Sequence, residues 1–134
     1  MKAHRAVNPP KLADPSGFSY AMEALHGRAI YLGGHVAFNA AGEIAGKTMP
    51  AQFTLAAANL VVTLREAGAE PHHLVSLQIF VTDVDEYKSS LTQIGLAYRK
   101  HFGSHYPAMG LFGVSRLYDP AALVELMGVA VIPG

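Results

Sequence analysis

Apolar positions along this chain repeat with two periods, and each change of period marks a change of element. Phe53, Ala57, Leu60 and Leu64 follow a 4-3-4 spacing, the buried stripe of a helix whose alanines allow close packing on a sheet. Thr48 supplies a candidate cap, Pro50 sits in the first turn, and Gly68 followed by Pro71 ends the helix. Tyr87, Leu91, Ile94, Tyr98 and Phe102 repeat the pattern with spacings 4-3-4-4, while Lys88, Ser89, Gln93, Arg99 and Lys100 lie mostly off the stripe. Asp83 or Asp85 caps this second helix, the pair Asp83 and Glu86 resembles a capping box, and Gly103 stops it.

Between these helices the period falls to two or vanishes into continuous apolar runs. Residues 18–24 and 28–37 read as strands joined by a turn at His26-Gly27, with Gly33-Gly34 marking a bulge or a close approach. Asn39 to Gly42 makes another turn, leading to a short arm over residues 43–46. Residues 74–82 form the clearest strand. A strand from Ala108 carries apolar or small residues on both faces, as a strand covered on both sides does. Its period puts Met109, Leu111, Gly113 and Ser115 on one face and Gly110, Phe112, Val114 and Arg116 on the other, so it reads as the wall of a cleft. A turn at Asp119-Pro120 precedes a last strand over 123–132. The order β-β-α-β-α-β-β predicts an α+β domain over 17–134, one mixed sheet with two helices on one face. Residues 1–16, broken by Asn8-Pro9-Pro10 and Asp14-Pro15, predict an extended lead-in without an element.

Composition adds an expectation about assembly and removes several function classes. The 134 residues are 51% hydrophobic and only 15% charged, a high ratio for a small monomer that must coat its surface. The open sheet face is apolar as well, so self-association is expected. Ten basic residues balance ten acidic ones, which leaves no basic stripe for nucleic acid. There is no cysteine, hence no disulfide, no thiolate nucleophile and no cysteine metal site. No apolar run reaches the roughly 20 residues that span a bilayer, and the start of the chain lacks a signal-type apolar core. A cytoplasmic protein without membrane partner, metal or cofactor is expected.

Taken together, the words along the chain resemble the RidA/YjgF family, also called L-PSP endoribonucleases, over about residues 16–131. Ser16-Gly-Phe-Ser-Tyr-Ala21 stands for G-P-Y-S-Q-A, Tyr31-Leu-Gly-Gly-His35 for V-S-G-Q, and Phe80-Val-Thr-Asp-Val-Asp85 for F-L-T-D-M-D. Tyr98 with Phe102-Gly103, Tyr106-Pro-Ala108, Ser115-Arg-Leu117 and Leu123-Val-Glu125 with Ala130-Val131 complete the series. Each word is weak alone, and the ordered set is specific. The resemblance implies a chorismate mutase-like homotrimer with three small-molecule clefts at subunit interfaces. It also implies hydrolytic deamination of enamines and imines, with an arginine after P-A clamping the substrate carboxylate. Here that residue is Met109, and a thioether cannot replace a bidentate guanidinium, a loss worth several kcal/mol of binding. Other cleft positions differ too: Phe18 stands for the tyrosine, Gly33 for the serine, Leu111 for the small residue two after the arginine, and Gly95 near the asparagine. Glu125 keeps its type and could orient or activate water.

Each candidate has a plainer role beside the functional one. Glu125 could pair with Arg116 or backbone N–H groups instead of serving as the catalytic carboxylate. His35, on the same strand face as Gly33, could do acid-base chemistry or simply sit at a subunit seam. Met109 and Leu111 line the pocket or fill the core. His72-His73 suits a solvated loop, since adjacent residues point apart and no carboxylate sits at ligand spacing. His101 and His105 flank a turn. Gly46-Lys47-Thr48 is no phosphate loop, because Ala41 stands where the first glycine would be. Two functions follow. One is a deaminase for an imine or enamine other than short 2-imino acids, using Glu125 with Phe18, Gly33, His35, Met109 and Leu111 around the substrate. The alternative is a trimer that only binds an apolar or aromatic metabolite. The ribonuclease implied by the older family label finds no support in the neutral charge.

Overall fold

The computed structural model describes residues 3–134. Strands β1 (Arg5–Val7) and β2 (Ala21–Glu23) pair with each other as a small antiparallel sheet. The main sheet contains β3 (Gly27–His35), β4 (Leu74–Val81), β5 (Ala108–Gly113) and β6 (Val124–Pro133) in the order β3-β6-β4-β5. Only β4 and β5 run parallel; β6 is antiparallel to both its neighbours. Helices α1 (Met49–Glu66), α2 (Val84–Ser89) and α3 (Leu91–Phe102) pack on one face of this sheet. The α+β architecture expected from the pattern is therefore present, with one sheet and one helical layer.

The predicted α1 stripe is buried: Phe53, Ala57, Leu60 and Leu64 are all fully inaccessible. Thr48 caps the helix, its hydroxyl accepting from the Ala51 N–H at 3.3 Å. Facing the helices, β6 contributes Val124, Leu126 and Ala130, and β4 contributes Leu77, Ile79 and Val81. Gly128 sits between them at the closest approach, where an added Cβ would run into the Ser76 carbonyl oxygen of the neighbouring strand. Since that obstacle is backbone, Gly128→Ala should cost about 2–3 kcal/mol through strand displacement, read as a lower urea midpoint at unchanged slope.

Three expectations are corrected. The lead-in does contain an element, β1, because His4 anchors it: the buried ring donates from Nε2 to the Val131 carbonyl at 2.8 Å and accepts the Leu25 N–H on Nδ1 at 3.0 Å. Residues 21–23 accordingly pair with β1 rather than forming a hairpin with β3, and an exposed Arg5–Glu23 ion pair of 2.8 Å spans the two strands. The second helix is two helices, broken at Ser90 (φ −105°, ψ 12°). Two adjacent serines favour such a break, the Ser89 hydroxyl donating back to the Glu86 carbonyl at 3.0 Å. Asp83 caps α2 by accepting the Glu86 N–H at 3.0 Å, but Glu86 does not reciprocate; its carboxylate instead approaches the Met49 N–H at 3.4 Å. Phase is lost at the break, so Leu91, expected in the stripe, is 54% exposed.

The Gly33-Gly34 pair is a bulge, as expected. Leu32 pairs with Gly128 and His35 with Leu126, so β3 advances one residue more than β6 over this interval. Opposite the helices, the sheet exposes apolar side chains, with Tyr31 81%, Phe112 47% and Met127 40% accessible. Phe80 and Phe112 stack on this open face with centroids 5.5 Å apart.

Candidate functional site

A cavity of about 420 Å³ opens beside edge strand β5, between the sheet and helices α2 and α3. From the segment between β1 and β2, Phe18 closes one side. Ser19 docks this segment, its N–H donating to the Pro107 carbonyl at 3.0 Å and its hydroxyl to the Tyr106 carbonyl at 2.7 Å. Sheet residues Ile79, Met109 and Leu111 form the floor. Register explains this: Met109 pairs with Leu77 and Leu111 with Ile79, which places both side chains on the helical face.

Aromatic residues from the helices complete the wall. Tyr98 and Tyr106 stack almost parallel at 4.9 Å and 4°, and the Tyr98 hydroxyl donates to the His105 carbonyl at 2.6 Å, 3.7 Å from the Met109 sulfur. Burial raises the Tyr98 phenol far above its ordinary pKa, with Tyr106 and Tyr87 adding to the shift, and burial pushes Tyr87 up to about 12. Both phenols are therefore protonated donors throughout the physiological range. Among the described residues the lining contains no carboxylate and one cation, Arg99, whose position on the expected polar face of the helix gave no hint of this placement. Ile94 and Gly95 of α3 line the cavity as well.

Of the residues singled out from the sequence, Phe18, Met109 and Leu111 come together in this cavity. Gly33 and His35 lie elsewhere, at the β3 bulge. His35 is engaged at both ring nitrogens: Nδ1 donates to the Gly33 carbonyl at 2.8 Å, and Nε2 meets the Thr63 hydroxyl at 2.8 Å. Glu125 is on the open sheet face, opposite Phe80 and Phe112 in register, with its carboxylate folded against the bare Cα of Gly34. It forms no hydrogen bond or ion pair with any described residue. Arg116, its expected partner, turns to the carbonyls of Leu117 and Tyr118 at 3.3 and 3.4 Å. Within one chain, then, Glu125 and the Met109 cavity are on opposite sides of the sheet.

Three further histidines bond to neighbouring elements. His73 accepts the Glu70 N–H at 2.9 Å in a 3-10 turn at Pro71–His73, His101 bonds Thr54 of α1 at 3.0 Å, and His105 donates to the Leu74 carbonyl at 2.7 Å. Burial lowers the pKa of both His73 and His101. No group of three or more His, Asp or Glu side chains converges among the described residues. Nor is any described helix long and apolar enough to cross a membrane.

The sequence profile of the endoribonuclease L-PSP family matches residues 11–132. The chain belongs to that family. Its fold is close to that of YyfB, a Rid-family protein of unknown function from Yersinia pestis: 34% identity over 97% of this chain and 99% of that one, with a TM-score of 0.86. A member of the YjgF/YER057c/UK114 family from Mycobacterium tuberculosis shares 26% identity over 87% of each chain, with a TM-score of 0.64. RidA from an Antarctic Psychrobacter shares the fold at 20% identity, covering 98% of this chain and 100% of that one with a TM-score of 0.69. No curated protein matches the chain. Met109, the residue after Pro107-Ala108, is in this structure a residue of the β5 cavity.

Proposed function

We propose that this Rid-family chain is a cytoplasmic homotrimer that holds a small molecule in the β5 cavity and hydrolyses an imine or enamine there. The cavity carries the reading: about 420 Å³ is within the range of small-molecule sites, and its wall is apolar and aromatic with few polar groups. Assembly follows from the open sheet face, where Tyr31, Phe112 and Met127 are more exposed than an isolated small domain tolerates in one patch. It also answers the separation of Glu125 from the cavity. The two meet only if Glu125 of one copy is presented to the cavity of the next.

In that arrangement the Glu125 carboxylate takes a proton from water as the water oxygen bonds to the imine carbon. Glu125 passes that proton to the nitrogen to complete the carbinolamine; the carbinolamine hydroxyl then loses its proton by way of Glu125 to the nitrogen as the C–N bond breaks, so ammonia leaves and a carbonyl compound remains. No oxidant or cofactor enters the balance. Met109 favours the alternative, a trimer that binds an apolar or aromatic metabolite without turning it over, for ligands with a short carboxylate head.

Native mass spectrometry of the purified protein tests the reading. The expected species has three times the chain mass and releases a small apolar or aromatic compound on denaturation. A monodisperse, ligand-free monomer at micromolar concentration would overturn it.

A further inference from the structure

We propose that Arg99 is the anion clamp of the β5 cavity, and that the ligand is a monocarboxylate with an apolar or aromatic body. This rests on the small-molecule reading of the cavity and assigns the ligand's head group.

Among the described residues of one chain, Arg99 is the single charged side chain in the lining, and the Glu125 proposed to arrive from the next copy is the one carboxylate it would meet there. It forms no ion pair and no hydrogen bond with any described residue, so its five donors are unspent. Gly95 lies one helical turn earlier. The Arg99 Nη1 atom stands 3.5 Å from where a Cβ on Gly95 would be, so the guanidinium folds back along α3 over the bare backbone, at the cavity rim. A branched side chain at position 95 would crowd the guanidinium off that path. The pair Gly95 and Arg99, spaced by four, thus leaves a helix-surface cation at the rim of the site.

The rest of the lining limits what the clamp can hold. Ile79, Ile94, Met109 and Leu111 present hydrocarbon and sulfur, and the stacked Tyr98–Tyr106 pair presents a flat aromatic wall with its Tyr98 hydroxyl proton already given to the His105 carbonyl. One guanidinium neutralises one carboxylate and matches its two oxygens in a planar fork. A phosphate dianion would leave a negative charge beside apolar groups with no second cation to balance it. The head therefore sits at α3 and the body extends over Met109 toward Phe18, with the charge met from the helix.

The test compares 3-phenylpropionate with its uncharged analogue 3-phenylpropanamide by amide chemical-shift titration of the whole protein. The acid should bind about tenfold or more tightly than the amide, a preference that Arg99→Gln abolishes while leaving amide affinity and melting temperature unchanged. Arg99→Lys, which keeps the charge without the fork, should retain part of the preference. Equal affinity for acid and amide, with shifts at Gly95 and Gly110, would overturn the clamp and leave the cavity reading standing. So would an acid preference that survives Arg99→Gln. Shifts confined to other surfaces, or no binding of either probe, would overturn both.

Discussion

Glu125→Gln should lower turnover of the cavity's substrate by about 10²- to 10⁴-fold, the usual loss when a general base is removed, with assembly and ligand affinity nearly intact. The expectation comes from how this carboxylate is held. It is half-buried on a sheet face whose neighbouring positions carry Phe80, Phe112 and Met127, yet it has no internal partner among the described residues. A carboxylate in apolar company normally finds a donor or leaves for solvent. Here the bulge supplies the space instead, since the side chain occupies the volume that a Cβ on Gly34 would fill. Glutamine preserves that shape and removes the basicity, so a change in kcat without a change in the oligomeric state separates chemistry from structure. Unchanged turnover would place the base elsewhere. A dissociated trimer would make Glu125 an interface residue.

Gln52→Leu should cost about 3 kcal/mol of stability, because it removes three hydrogen bonds that a buried side chain makes to backbone groups of two loops. Gln52 is 1% accessible on α1. Its amide nitrogen donates to the carbonyls of Gly46 at 3.0 Å and Ala121 at 2.9 Å, and its oxygen accepts the Leu123 N–H at 2.8 Å. One side chain thereby ties the loop before α1 to the loop before β6. Leucine has nearly the same volume and no polar atom, so packing survives and the loss isolates the hydrogen bonds. Urea unfolding measures it directly; a midpoint close to wild type would mean that water replaces the amide at this site. Gln52→Glu should be worse, since a carboxylate would face two carbonyl oxygens.

How legible these features were differs by kind. The Gln52 clamp was invisible: a lone glutamine on a helix reads as solvent-facing, and only the two converging loops make it a core residue. The β1–β2 pairing was missed for the same reason, because His4 acts through Val131, far away in sequence. Arg99 belonged by spacing to the polar side of its helix. The only local signal was the glycine four residues before it, and its meaning depends on the cavity that the sheet edge provides.

By itself the sequence determined α1, the helical stretch that α2 and α3 share apart from its break at Ser90, the four long strands, the bulge at Gly33-Gly34 and the Rid-family membership. These are local properties: a periodicity of 3.6 or 2, a cap, a glycine pair or a short word is written within a few consecutive residues. Only the tertiary structure decided which face of the sheet each strand residue takes and which residues share a site. Parity along one strand sorts its own side chains into two sets, but which set meets the helices depends on register with strands distant in sequence. Met109 and Glu125 were expected in one pocket because each marks a family word. The register, Leu77 with Met109 and Phe80 with Glu125, turns the first toward the helices and the second away from them.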